Sequence, residues 1–166
     1  MNYNKKISIS CIIATHKRED LLEKTLNSIL EQTFHPDEII VVDNCNSKKT
    51  KIIVEKYSSE NIKLKYVPHN YGGRGSSSRN IGALYSDCEY LAMIDDDDIW
   101  KENYIEEVFK FLNEYEDTKI LYTWFDYIVE NGKIIDGKKL QKNLNFNAFL
   151  IKNPGAIVSN LVIEKK

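Results

Sequence analysis

Four consecutive aspartates, Asp95 to Asp98, end the segment Y-L-A-M-I-D-D-D-D-I-W. Adjacent carboxylates repel one another, so a fold keeps four together only where water, a cation or the amides of a helix end stand close by. Asp95-x-Asp97 has the spacing to reach a Mg2+ or Mn2+ ion through one or two carboxylates, with phosphate oxygens and water completing an octahedron. The competing role is structural: Asp98 caps a helix beginning near Trp100, and its acidic neighbours favour the helix dipole. The two roles are compatible, and a cap needs one aspartate rather than four.

Other residues carry chemistry of the same kind. Asp43 ends the run E-I-I-V-V-D. Its carboxylate can accept hydrogen bonds from a nucleobase or ribose, or it can close an Asx-turn. The stretch N-Y-G-G-R-G-S-S-S-R-N holds Gly72, Gly73 and Gly75, which permit close backbone approach or positive φ. Arg74 and Arg79 beside them could pair with a diphosphate, and a plain turn is the alternative. The stretch lacks the G-x-G-x-x-G spacing and does not directly follow a strand, which argues against a dinucleotide site. His16 could stack on a base or sit exposed at a helix entrance; His35 and His69 read as loop residues. No Ser-His-Asp arrangement or His/Cys cluster is visible.

The elements that position these residues follow from periodicity. Ile7 to Ala14 is a β-rich run, and Glu19 to Glu31 has Leu22, Leu26, Ile29 and Leu30 at helical spacing. Glu38 to Val42 is a short continuous apolar strand, as a strand covered on both faces requires. A helix carrying Ile52, Ile53 and Tyr57 follows, then a strand over 62–67 that ends at Pro68. Ile81, Leu84 and Tyr85 mark the next helix, and Tyr90 to Ile94 is the strand that delivers the aspartates. Asn103 to Glu116 is an amphipathic helix with Ile105, Val108, Phe109 and Leu112 on one face. Its aromatics Tyr104, Phe109, Phe111 and Tyr115 read as core and helix surface. Ile120 to Trp124 is a strand, Tyr127 to Ile135 a hairpin around Asn131-Gly132, 146–151 a short helix and 156–163 strand-like. Alternating strands and helices make an α/β fold with a mostly parallel sheet and right-handed crossovers, and the hairpin makes the sheet mixed. Ligands of such sheets bind at the carboxyl ends of strands. Here those ends hold Thr15-His16, Asp43-Asn44 and Asp95 to Asp98.

Composition narrows the classes. The 166 residues are enough for one domain, and 42% of them are hydrophobic, enough for a core. A net charge of -2 gives no support to nucleic-acid binding. Cys11, Cys45 and Cys88 are odd in number and widely spaced, which favours free thiols in a reducing compartment. No apolar run approaches a membrane span, and the amino terminus does not read as a signal peptide. A soluble cytoplasmic protein is expected, with room for peripheral association at the inner face of the membrane. A phosphoacceptor signalling domain would place an acidic pair after the first strand, where Ala14-Thr15-His16 stands instead. A sugar nucleotidyltransferase would place a glycine-rich basic loop there, which K-R-E-D does not supply.

Five segments in register resemble the family-two inverting nucleotide-sugar glycosyltransferases of the GT-A fold: I-S-C-I-I-A-T-H-K-R, S-I-L-E-Q-T-F, E-I-I-V-V-D-N, S-R-N-I-G-A and Y-L-A-M-I-D-D-D-D-I-W. The usual family forms are a strand ending in Pro-Thr-Tyr-Asn, S-x-L-x-Q-T-[YF], V-V-D-[DN], A-R-N-x-G and D-x-D-D. The resemblance covers roughly residues 7 to 125. It implies a Rossmann-like GT-A domain over 1–166, with a donor half to about residue 125 and a partial acceptor half after it. It also implies that Ala14, Thr15 and His16 hold the nucleobase and that Asp43 and Asn44 contact base and ribose. Arg79 would line the nucleotide site, Asp97 would bind the metal, and Asp95 or Asp96 would meet the ribose.

Three departures bear on what is transferred. Ala14 stands for the usual Pro, His16 for the usual Tyr, and Asn44 where uridine-using members often have Asp. An amide at Asn44 can still pair with uracil but weakens the case for UDP against dTDP and GDP; a UDP-sugar remains the favoured donor, with a saccharide or lipid-linked acceptor and bacterial surface-polysaccharide synthesis as the setting. The family's catalytic base belongs to an acidic motif that does not appear after Asn153-Pro154-Gly155, and Asp126, Glu130 and Asp136 lie outside that context. The expected chain is therefore a donor-binding half with a shortened acceptor half. Its alternative is a non-catalytic donor-binding fragment. A shortened half would expose apolar surface around Phe146, Phe149 and Leu150, a reason to expect self-association.

Overall fold

The computed structural model of the protein describes residues 7–58, 62–70, 75–129, 132–137 and 157–165. Within them the chain runs β1 (Ile9–Thr15), α1 (Glu19–Leu30), β2 (Glu38–Asp43), α2 (Lys48–Tyr57), β3 (Lys63–Pro68), α3 (Gly75–Tyr85), β4 (Tyr90–Asp95) and α4 (Tyr104–Glu114). It continues through β5 (Ile120–Tyr122), β6 (Asp126–Ile128), β7 (Ile134–Asp136), a 3-10 turn at Val158–Asn160 and β8 (Leu161–Glu164). The main sheet has six strands in the order β3-β2-β1-β4-β8-β5. Strands β3, β2, β1 and β4 pair in parallel, whereas β8 pairs antiparallel with both β4 and β5.

Register sets the site. Thr15 lies opposite Asp43, Asp43 opposite Pro68, and Ala14 opposite Asp95. The polar ends of β1, β2 and β4 thus form one edge. The strand order runs outward from β1 to β3 and then jumps back across β1 to β4, and open α/β sheets leave a ligand crevice at such a reversal.

The apolar residues divide between two faces. Ile9, Cys11, Ile13, Ile39, Val41 and Ile94 form one core with Leu22, Leu26 and Ile29 of α1, Val54 of α2 and Ile105, Val108 and Leu112 of α4. On the other face Ile12, Leu91 and Met93 pack with Ala83, and Ile40, Val42 and Val67 with Ile81. All six positions of β2 are buried, as its continuous apolar run requires. Edge strand β3 is half open and carries Lys63 and Lys65, charges that discourage pairing with another chain.

The expected helices α2 and α3 both form, with facings that the sequence did not specify, and other expectations are corrected. Helix α3 buries Ser78 and Gly82, whereas Leu84 and Tyr85 are exposed. The helix lies so close to the sheet that a Cβ on Gly82 would stand 2.5 Å from Ile12 Cγ2. Large apolar residues are excluded from that contact. In α2 the buried apolar residue is Val54, and Ile52 faces solvent. No helix begins near Trp100: α4 starts at Tyr104 after Asn103, and Asp98 closes a turn by donating its N–H to Asp95 O at 3.2 Å. The capping role for Asp98 is therefore replaced by a turn role. The hairpin forms, with Gly132 at φ 76°, but as a separate two-stranded sheet, so β8 is what makes the main sheet mixed. Within 157–163 the chain makes the 3-10 turn before β8. The expected helix over 146–151 lies outside the described residues, as do Gly72, Gly73, Glu130 and Asn131. The three cysteines are free thiols.

Candidate functional site

A cleft of about 340 Å³ opens at the strand-order reversal. Its walls come from Ala14, Thr15 and His16 at the end of β1, Arg18 before α1, Asn44 after β2, Gly75, Ser78 and Arg79 in the first turns of α3, and Asp95, Asp96 and Asp97 after β4. The chain leaves β1 through Lys17 in the left-handed region, at φ 55°. Arg18 follows it, with a backbone carbonyl that accepts the N–H groups of Leu21 and Leu22 at the start of α1.

The aspartates face different partners. Thr15 Oγ1 donates to Asp96 Oδ2 at 2.7 Å, and Asp96 is almost fully buried. Arg18 Nη1 reaches Asp96 Oδ1 at 3.2 Å and Asp97 Oδ2 at 2.8 Å. Arg79 Nη2 donates to Asp95 Oδ1. The charge of Asp96, with Asp97 behind it, holds Arg18 still more firmly protonated. Burial raises the pKa of Asp98, its bond with Ser159 lowers it, and the charges of Asp97, Asp95 and Asp96 raise it further.

Two distant segments hold this turn in place. The first is α1. Thr25 Oγ1 donates to Asp98 O at 2.9 Å, and Ser28 Oγ accepts Trp100 N–H at 3.3 Å. Gln32 Nε2 donates to Lys101 O at 2.8 Å, and the Thr33 N–H donates to Glu102 O at 2.8 Å. The S-I-L-E-Q-T-F segment is thus a bracket for the loop after the aspartates. The second is the 3-10 turn. Ser159 Oγ accepts Asp95 N–H at 2.9 Å, and Ser159 O accepts Trp100 Nε1 at 3.0 Å.

Asp43 stands apart from the cleft. It is fully buried, and Oδ1 accepts the Cys45 N–H at 3.0 Å. Oδ2 accepts the Ser47 N–H at 2.6 Å and the Tyr66 hydroxyl at 2.9 Å. These bonds close the β2–α2 turn, as an Asx-turn does, and tie it to β3 through Tyr66. Tyr66 is correspondingly hard to ionise, through burial first and then its bond to Asp43.

Of the residues the sequence points to, Ala14, Thr15, His16, Asn44, Arg79, Asp95, Asp96 and Asp97 meet in the one cleft. Arg74 lies outside the described residues. Arg18 and Ser78 join the cleft from the segments I-S-C-I-I-A-T-H-K-R and S-R-N-I-G-A, where neither residue type alone points to a site. Ser159 had no local signal at all.

Among the described residues no group of three or more His, Cys, Asp or Glu side chains is arranged to hold a metal ion. Mg2+ and Mn2+ sites need fewer, since one or two carboxylates with substrate phosphates suffice. Asp97, half exposed in the cleft and paired with the half-exposed Arg18, fits that chemistry. Among the described residues no helix is long and apolar enough to cross a membrane.

The family model for glycosyl transferase family 2 matches residues 10–164. The Escherichia coli UDP-Glc:alpha-D-GlcNAc-diphosphoundecaprenol beta-1,3-glucosyltransferase WfgD is 26% identical over 158 residues, covering 95% of this chain and 60% of that protein. The structure of Staphylococcus aureus TarS 1-349 in complex with UDP is 29% identical over 70% of this chain and 35% of its own, with a TM-score of 0.60. The same protein with UDP-GlcNAc aligns over 96% of this chain and 46% of its own, at 24% identity and a TM-score of 0.74. The Pyrobaculum calidifontis mannosyltransferase PcManGT with GDP-Man and Mn2+ shares the fold at 21% identity, covering 67% of this chain and 34% of its own, with a TM-score of 0.58. The chain spans about half the length of the curated relatives it matches. Its mixed, mostly parallel sheet with flanking helices is the architecture of those structures, and with the family model matching nearly the whole chain, this protein belongs to glycosyl transferase family 2.

Proposed function

We propose that the cleft binds a nucleoside-diphosphate sugar, with a UDP-sugar as the favoured donor, and that the protein transfers the sugar with inversion to a saccharide or lipid-linked acceptor. The observation that carries this reading is the convergence of Ala14, Thr15, His16, Asn44, Arg79 and Asp95 to Asp97, from three strand ends and one helix, on one polar cleft. The UDP complex of TarS and the donor and acceptor in the name of WfgD support the choice of ligands.

In this reading His16 and Asn44 meet the base and Asp95 or Asp96 the ribose. Arg79 supplies positive charge near the diphosphate. Asp97 would hold a Mn2+ or Mg2+ ion, which when bound neutralises the departing nucleoside diphosphate. Arg18 must then release Asp97, and its half-exposed side chain has room to do so. The GDP-Man and Mn2+ complex of the mannosyltransferase supports a divalent ion.

A second reading is favoured by one observation. The described carboxylates of the cleft are Asp95, Asp96 and Asp97 alone, each already bound to an arginine or a threonine. Each would have to give up that bond before it could take a proton from an acceptor hydroxyl. Asp126 is tied to Lys101 at 2.7 Å, which lowers its pKa. Donor binding without transfer is the alternative. Thermal shifts with UDP, dTDP and GDP, each with and without Mn2+, test the donor site. Acceptor-dependent release of UDP from UDP-glucose or UDP-GlcNAc separates the enzyme from the binding fragment.

A further inference from the structure

We propose that Ser78 is a nucleotide-binding residue whose hydroxyl pairs with an acceptor oxygen of the ligand beside Arg79 Nε; the assignment rests on the nucleotide reading of the cleft. Ser78 lies in the first turn of α3, lines the cleft and is 1% exposed. Its Oγ is sealed from bulk water and has no hydrogen-bond partner among the described residues. Arg79 Nε is in the same state, although Nη2 of that guanidinium is bound to Asp95. Native proteins rarely leave a buried donor unpaired, so a specific unpaired group calls for a missing partner. Here two such groups adjoin in the chain, both on residues of the cleft wall.

The two groups share one need. Arg79 Nε can only donate, and a serine hydroxyl donates or accepts. A ligand that presents acceptor oxygens to this wall can supply each with a partner. A nucleotide offers such oxygens on its base, its ribose and its diphosphate. The first turn of α3 is also held in place: the Ser77 hydroxyl pairs with His69 Nε2 at 2.8 Å, and the His69 N–H donates to Asp43 O at 2.8 Å.

The assignment makes Ser78→Ala act in opposite directions on binding and on stability. Calorimetric titration of UDP with Mn2+ into parent and variant should show affinity lower by about five- to ten-fold in the variant, the value of one hydrogen bond. The ligand-free variant should melt at the same temperature as the parent or higher, because it buries no unpaired hydroxyl. Titration with uridine locates the oxygen: a loss shared with uridine puts it on the nucleoside, and a loss confined to UDP puts it on the diphosphate. Equal UDP affinity in parent and variant overturns the assignment, as does a lower ligand-free melting temperature. A parent that binds none of UDP, dTDP and GDP overturns the nucleotide reading itself.

Discussion

The side-chain oxygen of Gln32 accepts the backbone N–H of Ile105 at 2.9 Å, while its Nε2 donates to Lys101 O at 2.8 Å. One side chain from the end of α1 thus spans the loop between the aspartates and α4. Gln32 is buried, so replacing it with leucine leaves the Ile105 N–H without its partner and strips one of two bonds from Lys101 O, which keeps the Tyr104 N–H at 2.9 Å. Gln32→Leu should cost roughly 1–3 kcal/mol, read from urea unfolding. Unchanged stability would show that α1 does not brace the site.

Gly82 fixes how near α3 lies to the sheet. A methyl group there would meet Ile12 Cγ2 at 2.5 Å and Val42 Cγ2 at 3.3 Å, both in the core. Gly82→Ala gains helix propensity but overpacks that contact. The expected net effect is a loss of roughly 1–3 kcal/mol, measured by thermal or urea unfolding. A stabilised variant would contradict the close approach.

Glu38 ties stability to acid. Burial of its carboxylate raises the pKa, but the Lys65 and Lys63 ammonium groups at 2.9 and 3.2 Å, with hydrogen bonds from the Ser10 hydroxyl and the Asp87 N–H, outweigh it and bring the value down to about 2 from 4.5. The folded value lies below the unfolded one. The resulting stabilisation is present above about pH 4.5 and is lost as pH falls towards 2. Its size is on the order of 1–3 kcal/mol. Glu38→Gln should therefore weaken the protein at pH 7 and flatten its loss of stability between pH 4.5 and 2 in urea unfolding. A variant with the parent's acid profile would contradict this.

Residue type and spacing made the central strands legible. β2 and β4 are continuous apolar runs, and β1 is a β-rich run broken only by Ser10; each stops at polar residues, and their ends carry the cleft. Helix α3 was legible as a helix but not in its facing. Periodicity looks for large apolar side chains, and here the buried contact is made by Ser78 and Gly82. Asp43 had two chemically reasonable roles, and only its burial and turn donors separate them. The aspartate run has the composition of a helix start, yet it makes a turn pinned from outside by Thr25, Ser28 and Gln32. Ser159 reaches Asp95 across 64 residues, a contact that no local pattern encodes.

The donor site itself is tested most directly by titrating UDP into the parent and Asp97→Asn by calorimetry, each with and without Mn2+. The account predicts metal-dependent binding by the parent and a loss of at least about ten-fold in the variant, which is about 1.4 kcal/mol. Binding by Asp97→Asn as tight as the parent's with Mn2+ present would contradict it.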